Sequence, residues 1–210
     1  MSNIMEEVRS ERQKGALIAV MGVGGAGGNA VKRMWNMGIE GVTFMVCNTD
    51  SQALHKNEVE TKIQLGRDGL GAGNDPAKGR DLAIESIDEV RQALKEAGAR
   101  MIFITAGMGG GTGTGAAPVI AQVSKEMGIL TVGIVTLPFL FEMRKQIDKA
   151  LDGLEELTKE VDSLIVINNE RMLSVYHNKS VVDAFQSADR TLTNAVRSVV
   201  DIIKMHGVIN

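Results

Sequence analysis

The sequence of 210 residues predicts an α/β fold, a Rossmann-like parallel sheet with helices on both faces. Three observations carry that prediction. Short apolar runs alternate with longer helical patterns along the chain, strand then helix. The strand runs are apolar almost throughout, as in strands covered on both sides. Glycine-rich loops follow the strands, at the edge where such sheets bind ligands.

The first strand is read at 16–21 (ALIAVM), and the run GVGGAGGN at 22–29 is read as a loop. A helix at 30–37 stops at Gly38, a common C-terminal glycine. The second strand, 42–47, ends in Asn48-Thr49-Asp50, and 62–65 (KIQL) makes a short edge strand. Residues 66–73 (GRDGLGAG) form a loop with four glycines. One long amphipathic helix runs from 76 to about 97, with Leu82, Ile84, Ile87, Val90 and Leu94 near helical spacing. A strand at 101–105 (MIFIT) enters the richest glycine run, and a helix over 116–123 leaves it, with Pro118 in the first turn. Another buried strand spans 129–136, then a helix 142–160 weakened at Gly153. The last strand, 163–167, leads into 168–170. A final helix covers 180–205. Ser180 and Asp183 give it an S-x-x-D start, and Val182, Phe185, Leu192, Val196, Val199 and Ile203 mark one apolar face.

The composition excludes several classes. Hydrophobic residues make up 44% and charged residues 23%, ordinary for a globular protein, and the length suits one domain or slightly more. Aromatic residues are only 3%, too few for single-strand stacking platforms, and a net charge of −3 without a basic block speaks against nucleic acid. A single cysteine, Cys47, forms no internal disulfide and fits a reducing compartment. No apolar run is long enough to insert into a membrane. Residues 1–14 are too polar for a signal peptide and read as a flexible arm. The three histidines have no ligand spacing, so no metal site is expected. Trp35 is read as an anchor between a helix and the sheet, and Asp148, Asp152, Glu155 and Glu156 as a wet helix face.

The run at 107–115, GMGGGTGTG, carries the chemistry. Consecutive glycines let backbone N–H groups converge without side chains between them, and a following helix adds its positive end. The pair suits a phosphate, with Thr112 and Thr114 as hydroxyl donors. A β-branched residue at Gly110 would fill the phosphate space and resist a positive φ.

A rival reading starts at Gly22-x-Gly24-x-x-Gly27, which satisfies the dinucleotide fingerprint, with Asp50 at the end of the next strand as a ribose acid. Alone it gives an NAD-binding Rossmann oxidoreductase. A dinucleotide, however, has one pyrophosphate and needs one glycine loop. Three such loops on one edge fit a triphosphate better, and no lysine closes any of them in the Walker manner.

The run GGGTGTGAAP resembles the signature of the tubulin and FtsZ superfamily, in a form close to its bacterial FtsZ branch. GGAGGNAV is similar to that family's first phosphate loop, 48–50 to its second, and GLGAGNDPAKGR to the third, which senses the terminal phosphate. VTLPFLFE and DAFQSAD (183–189) resemble its T-x-PF-x-FE stretch and base-binding helix. The resemblance covers essentially the whole chain after residue 14.

It implies a cytoplasmic cell-division GTPase that polymerises head to tail at the septum, with GTP or GDP and magnesium bound and with membrane-tether proteins as partners. Gly24, Gly25, Gly109, Gly110, Gly111, Thr112, Gly113 and Thr114 would hold phosphates, and Ala72 with Gly73 would close over the γ-phosphate. Glu142 would contact the ribose. Phe185 would stack on guanine, with Asn29, Asn169 and Asp189 reading its edge. A carboxylate suits guanine, whose N1–H and N2–H₂ both donate, and Phe185 and Asp189 are four apart on one helix face.

The implied layout is a GTP-binding domain at 15–179 and a central helix at 180–206, with the second domain absent. The family's catalytic acids would then lie outside the chain and act from a neighbouring protomer. The chain alone would be monomeric and nearly inactive, and a non-catalytic filament scaffold stands as another class. Two positions depart from the family: Met143 replaces a usual glycine and Gln146 a usual basic residue, which puts the ribose and phosphate contacts of that helix in question.

Overall fold

The computed structural model describes residues 17–170 and 181–204. The arm at 1–14, the cap at Ser180, His177 and His206 lie outside them. Six strands form one sheet: β1 (Ile18–Val23), β2 (Thr43–Asn48), β3 (Thr61–Gln64), β4 (Met101–Gly107), β5 (Leu130–Leu137) and β6 (Ser163–Asn168). Every pairing is parallel and the order is β3-β2-β1-β4-β5-β6. The helices are α1 (Gly24–Asn36), α2 (Ser51–His55), α3 (Pro76–Glu85), α4 (Ile87–Ala97), α5 (Gly111–Glu126), α6 (Arg144–Glu160) and α7 (Val181–Lys204), with a 3₁₀ turn at Leu140–Glu142.

The expected two-faced sheet is present, with a separate core on each side. Alternate residues of β1 divide between them: Ala19, Met21 and Val23 pack with Val90, Leu94, Ile120 and Leu157 of α4, α5 and α6. Ile18 and Val20 pack with Val31 and Met34 of α1 and Leu192 and Val196 of α7. Trp35 sets its ring edge-on to Phe44 of β2 with centroids 6.0 Å apart, the helix-to-sheet anchor expected of it. Asp148, Asp152, Glu155 and Glu156 are exposed.

The differences from the sequence reading concern the helices. Both glycine runs read as loops are partly helical, since α1 begins at Gly24 and α5 at Gly111. Burial against the sheet outweighs glycine's poor helix propensity there. Pro118 consequently lies inside α5 rather than in its first turn. The long helix expected over 76–97 breaks at Ser86, whose φ of −106° and ψ of 27° leave the helical region. Ser86 Oγ instead accepts the Gly66 N–H at 2.8 Å. The break resets the helical phase and leaves Ile84, expected on the apolar face, 51% exposed. The short α2 was not anticipated; Asp50 caps it by accepting the Ala53 N–H at 3.0 Å. Gly153 is a packing site, because a Cβ there would strike the Thr114 side chain of α5.

Candidate functional site: a phosphate nest at the sheet's switch point

Strand order reverses direction between β1 and β4, so the connections leaving these neighbours diverge and open a crevice at their carboxyl ends. The two glycine runs start there. α1 is preceded by Val23 and α5 by Gly110, and neither helix has a side-chain cap or an acidic residue in its first turn. By contrast, α2 and α3 are capped by Asp50 and Asp75. A helix start leaves four N–H groups without intrahelical partners, so the crevice receives two uncapped positive ends.

The first turn of α5 touches all three glycine loops. A Cβ on Gly24 would lie 3.1 Å from the Gly113 nitrogen and 3.2 Å from Thr112 Cβ. One on Gly111 would lie 2.8 Å from the Asp75 nitrogen and 2.9 Å from Ala72 Cβ. Thr112 Oγ1 meets Thr49 Oγ1 at 2.6 Å, joining the segment after β2. The convergence expected of the three loops is thus present, and the 48–50 stretch joins them through Thr49.

The glycines fall into three groups. Gly27 is held against the Thr105 carbonyl and Gly113 against that of Gly107, too closely for any side chain. Gly109 has φ +102°, a region that side chains oppose, and a Cβ on it would lie 2.9 Å from the Gln146 carbonyl. Gly25 and Gly110 fit neither group. Their φ values are not positive, that of Gly110 being −83°, and a Cβ on either would meet nothing within 4 Å. The positive φ expected at Gly110 therefore belongs to Gly109. Gly25 and Gly110 face open space at the two helix starts.

The remaining expected residues are placed as follows. Thr114 is buried and its hydroxyl accepts the Gly109 N–H at 2.8 Å, so it braces the loop from inside. Ala72 is buried beside Gly111 while Gly73 is exposed. Glu142 accepts the Phe139 N–H at 2.8 Å and closes the 3₁₀ turn. Asn29 is exposed in α1, against which α7 packs. Phe185 and Asp189 belong to α7, but their side chains lie outside the described residues. Asn169, just past β6, is 4% exposed, and its Oδ1 is buried without a hydrogen-bond partner. An orphaned buried amide oxygen costs about 1–3 kcal/mol, a cost removed by a ligand that donates to it.

Among the described residues no group of three or more His, Cys, Asp or Glu is placed to hold a metal ion, and no helix is long and apolar enough to cross a membrane. Burial raises the Cys47 thiol far above its ordinary range. Asp75 followed by Pro76 is a helix-start signal legible in the sequence: Asp75 Oδ1 accepts the Ala77 N–H at 3.0 Å and Pro76 opens α3.

This strand order also occurs in dinucleotide-binding folds, so topology alone does not separate the two readings of the sequence. Comparison with known proteins does. A family model described as the Tubulin/FtsZ family, GTPase domain, matches residues 17–177. The cell division protein FtsZ of Porphyromonas gingivalis is 50% identical over 197 residues, covering 92% of this chain and 43% of that protein. The Pseudomonas aeruginosa protein of the same name is 52% identical over 199 residues, covering 93% and 50%. Among solved structures, an empty FtsZ dimer of M. jannaschii superposes with a TM-score of 0.88 at 42% identity, over 100% of this chain and 62% of that one. The chain spans about half the length of these curated relatives. The oxidoreductase reading finds no support in them.

Proposed function

We propose, since this chain belongs to the Tubulin/FtsZ family and carries its GTPase domain, that it binds GTP and GDP in the crevice between β1 and β4. The observation that carries the reading is the open space at Gly25 and Gly110, where neither packing nor backbone conformation asks for glycine. The N–H groups at the starts of α1 and α5 would hold the phosphates, with Gly24, Gly25 and the 109–114 segment around them. Thr112 would add its hydroxyl, and Ala72 with Gly73 would close over the terminal phosphate. A magnesium ion would neutralise phosphate charge and ride on the nucleotide rather than on a carboxylate cage of this chain.

Guanine would lie between α1 and α7, stacked on Phe185. Asp189 would accept from N1–H and N2–H₂, a donor pair that adenine does not present. Asn29 and Asn169 would complete the edge, the orphaned Oδ1 of Asn169 accepting a ligand hydrogen bond. Glu142 would reach the ribose with the carboxylate oxygen not used on Phe139.

Hydrolysis would follow stacking of protomers head to tail, acids of the neighbour polarising the attacking water. The nest at 107–115 contains only glycine, threonine and methionine, none a general base. The nest by itself would therefore hold nucleotide and turn it over slowly. In the whole protein the place of action would be the cytoplasmic face of the division septum, reached through tether proteins at the membrane.

Calorimetry with GTP, GDP, ATP and NAD tests the reading. GTP and GDP should bind, and ATP and NAD at least ~100-fold more weakly, because lost hydrogen bonds to a base edge cost a few kcal/mol each. Asp189→Ala should remove most of the preference for GTP over ATP. A preference that survives the substitution would refute Asp189 as the reader, and tight NAD binding would refute the class.

A further inference from the structure

The first turn of α6 rests on the nest, with the Gln146 carbonyl against Gly109. Lys149 stands three residues further, on the same helix face. It is partly buried and lines a small cavity of about 240 Å³ between α3, α5 and α6, together with Pro76, Arg80, Thr114, Asp152 and Glu156. Arg80 and Glu156 pair with each other at 3.2 Å. The ammonium of Lys149 reaches out of this cavity and donates to the main-chain carbonyl of Asn74.

Asn74 sits at a strained point. It has φ +60° and, with Met143, is one of two non-glycine residues at positive φ among those described. It follows Gly71 at φ +82° and Gly73 at φ +60°. The turn at 71–75 thus holds three left-handed residues, each costly or entropically loose without outside support. Three contacts supply that support. The Gly71 N–H donates to the Thr49 carbonyl at 2.9 Å. Gly111 at the start of α5 packs beneath Ala72 and the Asp75 backbone, and Lys149 grips the Asn74 carbonyl from the side. Within the turn, the Asp75 N–H closes onto the Ala72 carbonyl at 3.0 Å.

We propose that Lys149 is a positioning residue that latches the 71–75 turn over the phosphate nest and thereby makes the site sensitive to the terminal phosphate. This role rests on the nucleotide reading above. A diphosphate makes no demand on the turn, whereas a γ-phosphate meets Ala72 and Gly73 only while the turn is held down. The lysine need not touch the ligand. Its hydrogen bond lowers the cost of the closed turn, so its loss weakens triphosphate binding selectively. Lys149 also stands about one turn beyond Gln146, so this helix presents a cation to the loop at Asn74.

Lys149→Met keeps the stem and removes the donor, while Lys149→Arg keeps a donor. Amide exchange across 72–77 in the nucleotide-free chain, and affinities for GDP and for GTPγS, are measured for the parent and both variants. In Lys149→Met the Asp75 amide should exchange about tenfold faster, and GTPγS should bind about five- to tenfold more weakly, the loss expected of one charge-assisted hydrogen bond. GDP affinity should stay within about twofold, and Lys149→Arg should restore most of both effects. Unchanged exchange refutes the latch, and equal losses for GDP and GTPγS refute its selectivity for the terminal phosphate. If the parent binds neither nucleotide, the nucleotide reading and the terminal-phosphate role fall together. Exchange then still decides whether the latch itself exists.

Discussion

Thr49 and Thr112 bring their hydroxyl oxygens to 2.6 Å, bridging the segment after β2 and the first turn of α5. One of the two protons lies in that bond and the other is free. If Thr112 gives its proton to a phosphate, Thr49 must donate to Thr112, so the two act as a relay. Thr112→Ala should cost about 1 kcal/mol of GDP affinity, and Thr49→Val should cost a smaller but real amount without any contact of its own. The double variant should lose less than the sum, by about 0.5 kcal/mol or more. Strict additivity in calorimetry would break the relay.

Gly109 and Gly110 are neighbours with opposite roles. Gly109→Ala places a Cβ at φ +102° against the Gln146 carbonyl and should destabilise the fold by about 1–3 kcal/mol. Gly110→Val enters open space at an ordinary φ and should leave the urea midpoint nearly unchanged. It should nevertheless lower nucleotide affinity by about tenfold or more, since it occupies the space proposed for the phosphate. A Gly110→Val protein that is intact and binds normally would move the nest elsewhere.

Met143 holds φ 75° and ψ 144° with its side chain 70% exposed. The strain is therefore not offset by burial. Met143→Gly should raise stability by about 1 kcal/mol, relief of a disfavoured conformation exceeding the entropy that glycine adds to the unfolded chain. The denaturant midpoint should rise with an unchanged slope. A lower midpoint would mean that the exposed methionine makes a contribution its surroundings do not reveal.

Cys47 is buried in β2 with its Sγ 3.6 Å from the Gly22 carbonyl. Burial disfavours the thiolate and raises the pKa, so at pH 8 the group stays a thiol. Alkylation by iodoacetamide should then proceed only through unfolding and follow the stability of each variant above. Rapid labelling of the native protein would contradict the burial.

Strand β3 (TKIQ) is half polar and was read only as a short edge strand. The other five strands were legible, because a strand covered on both faces is mostly apolar and glycine or polar residues bound it. The helix starts at Gly24 and Gly111 were not, since glycine signals a loop locally and only the sheet beneath makes these segments helical. The break at Ser86 was equally hidden, as it depends on the distant Gly66 amide. At the site, the three glycine loops could be found in the sequence, but the role of each glycine could not. Whether one serves the fold or a ligand depends on what lies opposite, such as the Thr105 carbonyl facing Gly27. Thr49 lay in the 48–50 stretch likened to a phosphate loop, but its bond to Thr112 was not legible, nor was that of Lys149 to Asn74, because these partners are remote in the chain.

The adjacency of β1 and β4, set side by side with Ile18 beside Met101, also governs how the molecule assembles. Each parallel pairing must wait for its crossover, and this one closes the longest stretch of chain in the sheet. The two halves, β1 to β3 and β4 to β6, hold one glycine-rich helix start apiece, so neither contains the crevice alone. Contacts of such sequence separation form late and slowly. Acquisition of the binding site should therefore coincide with the final docking of the halves. A nucleotide present during refolding would slow their separation more than it speeds their meeting.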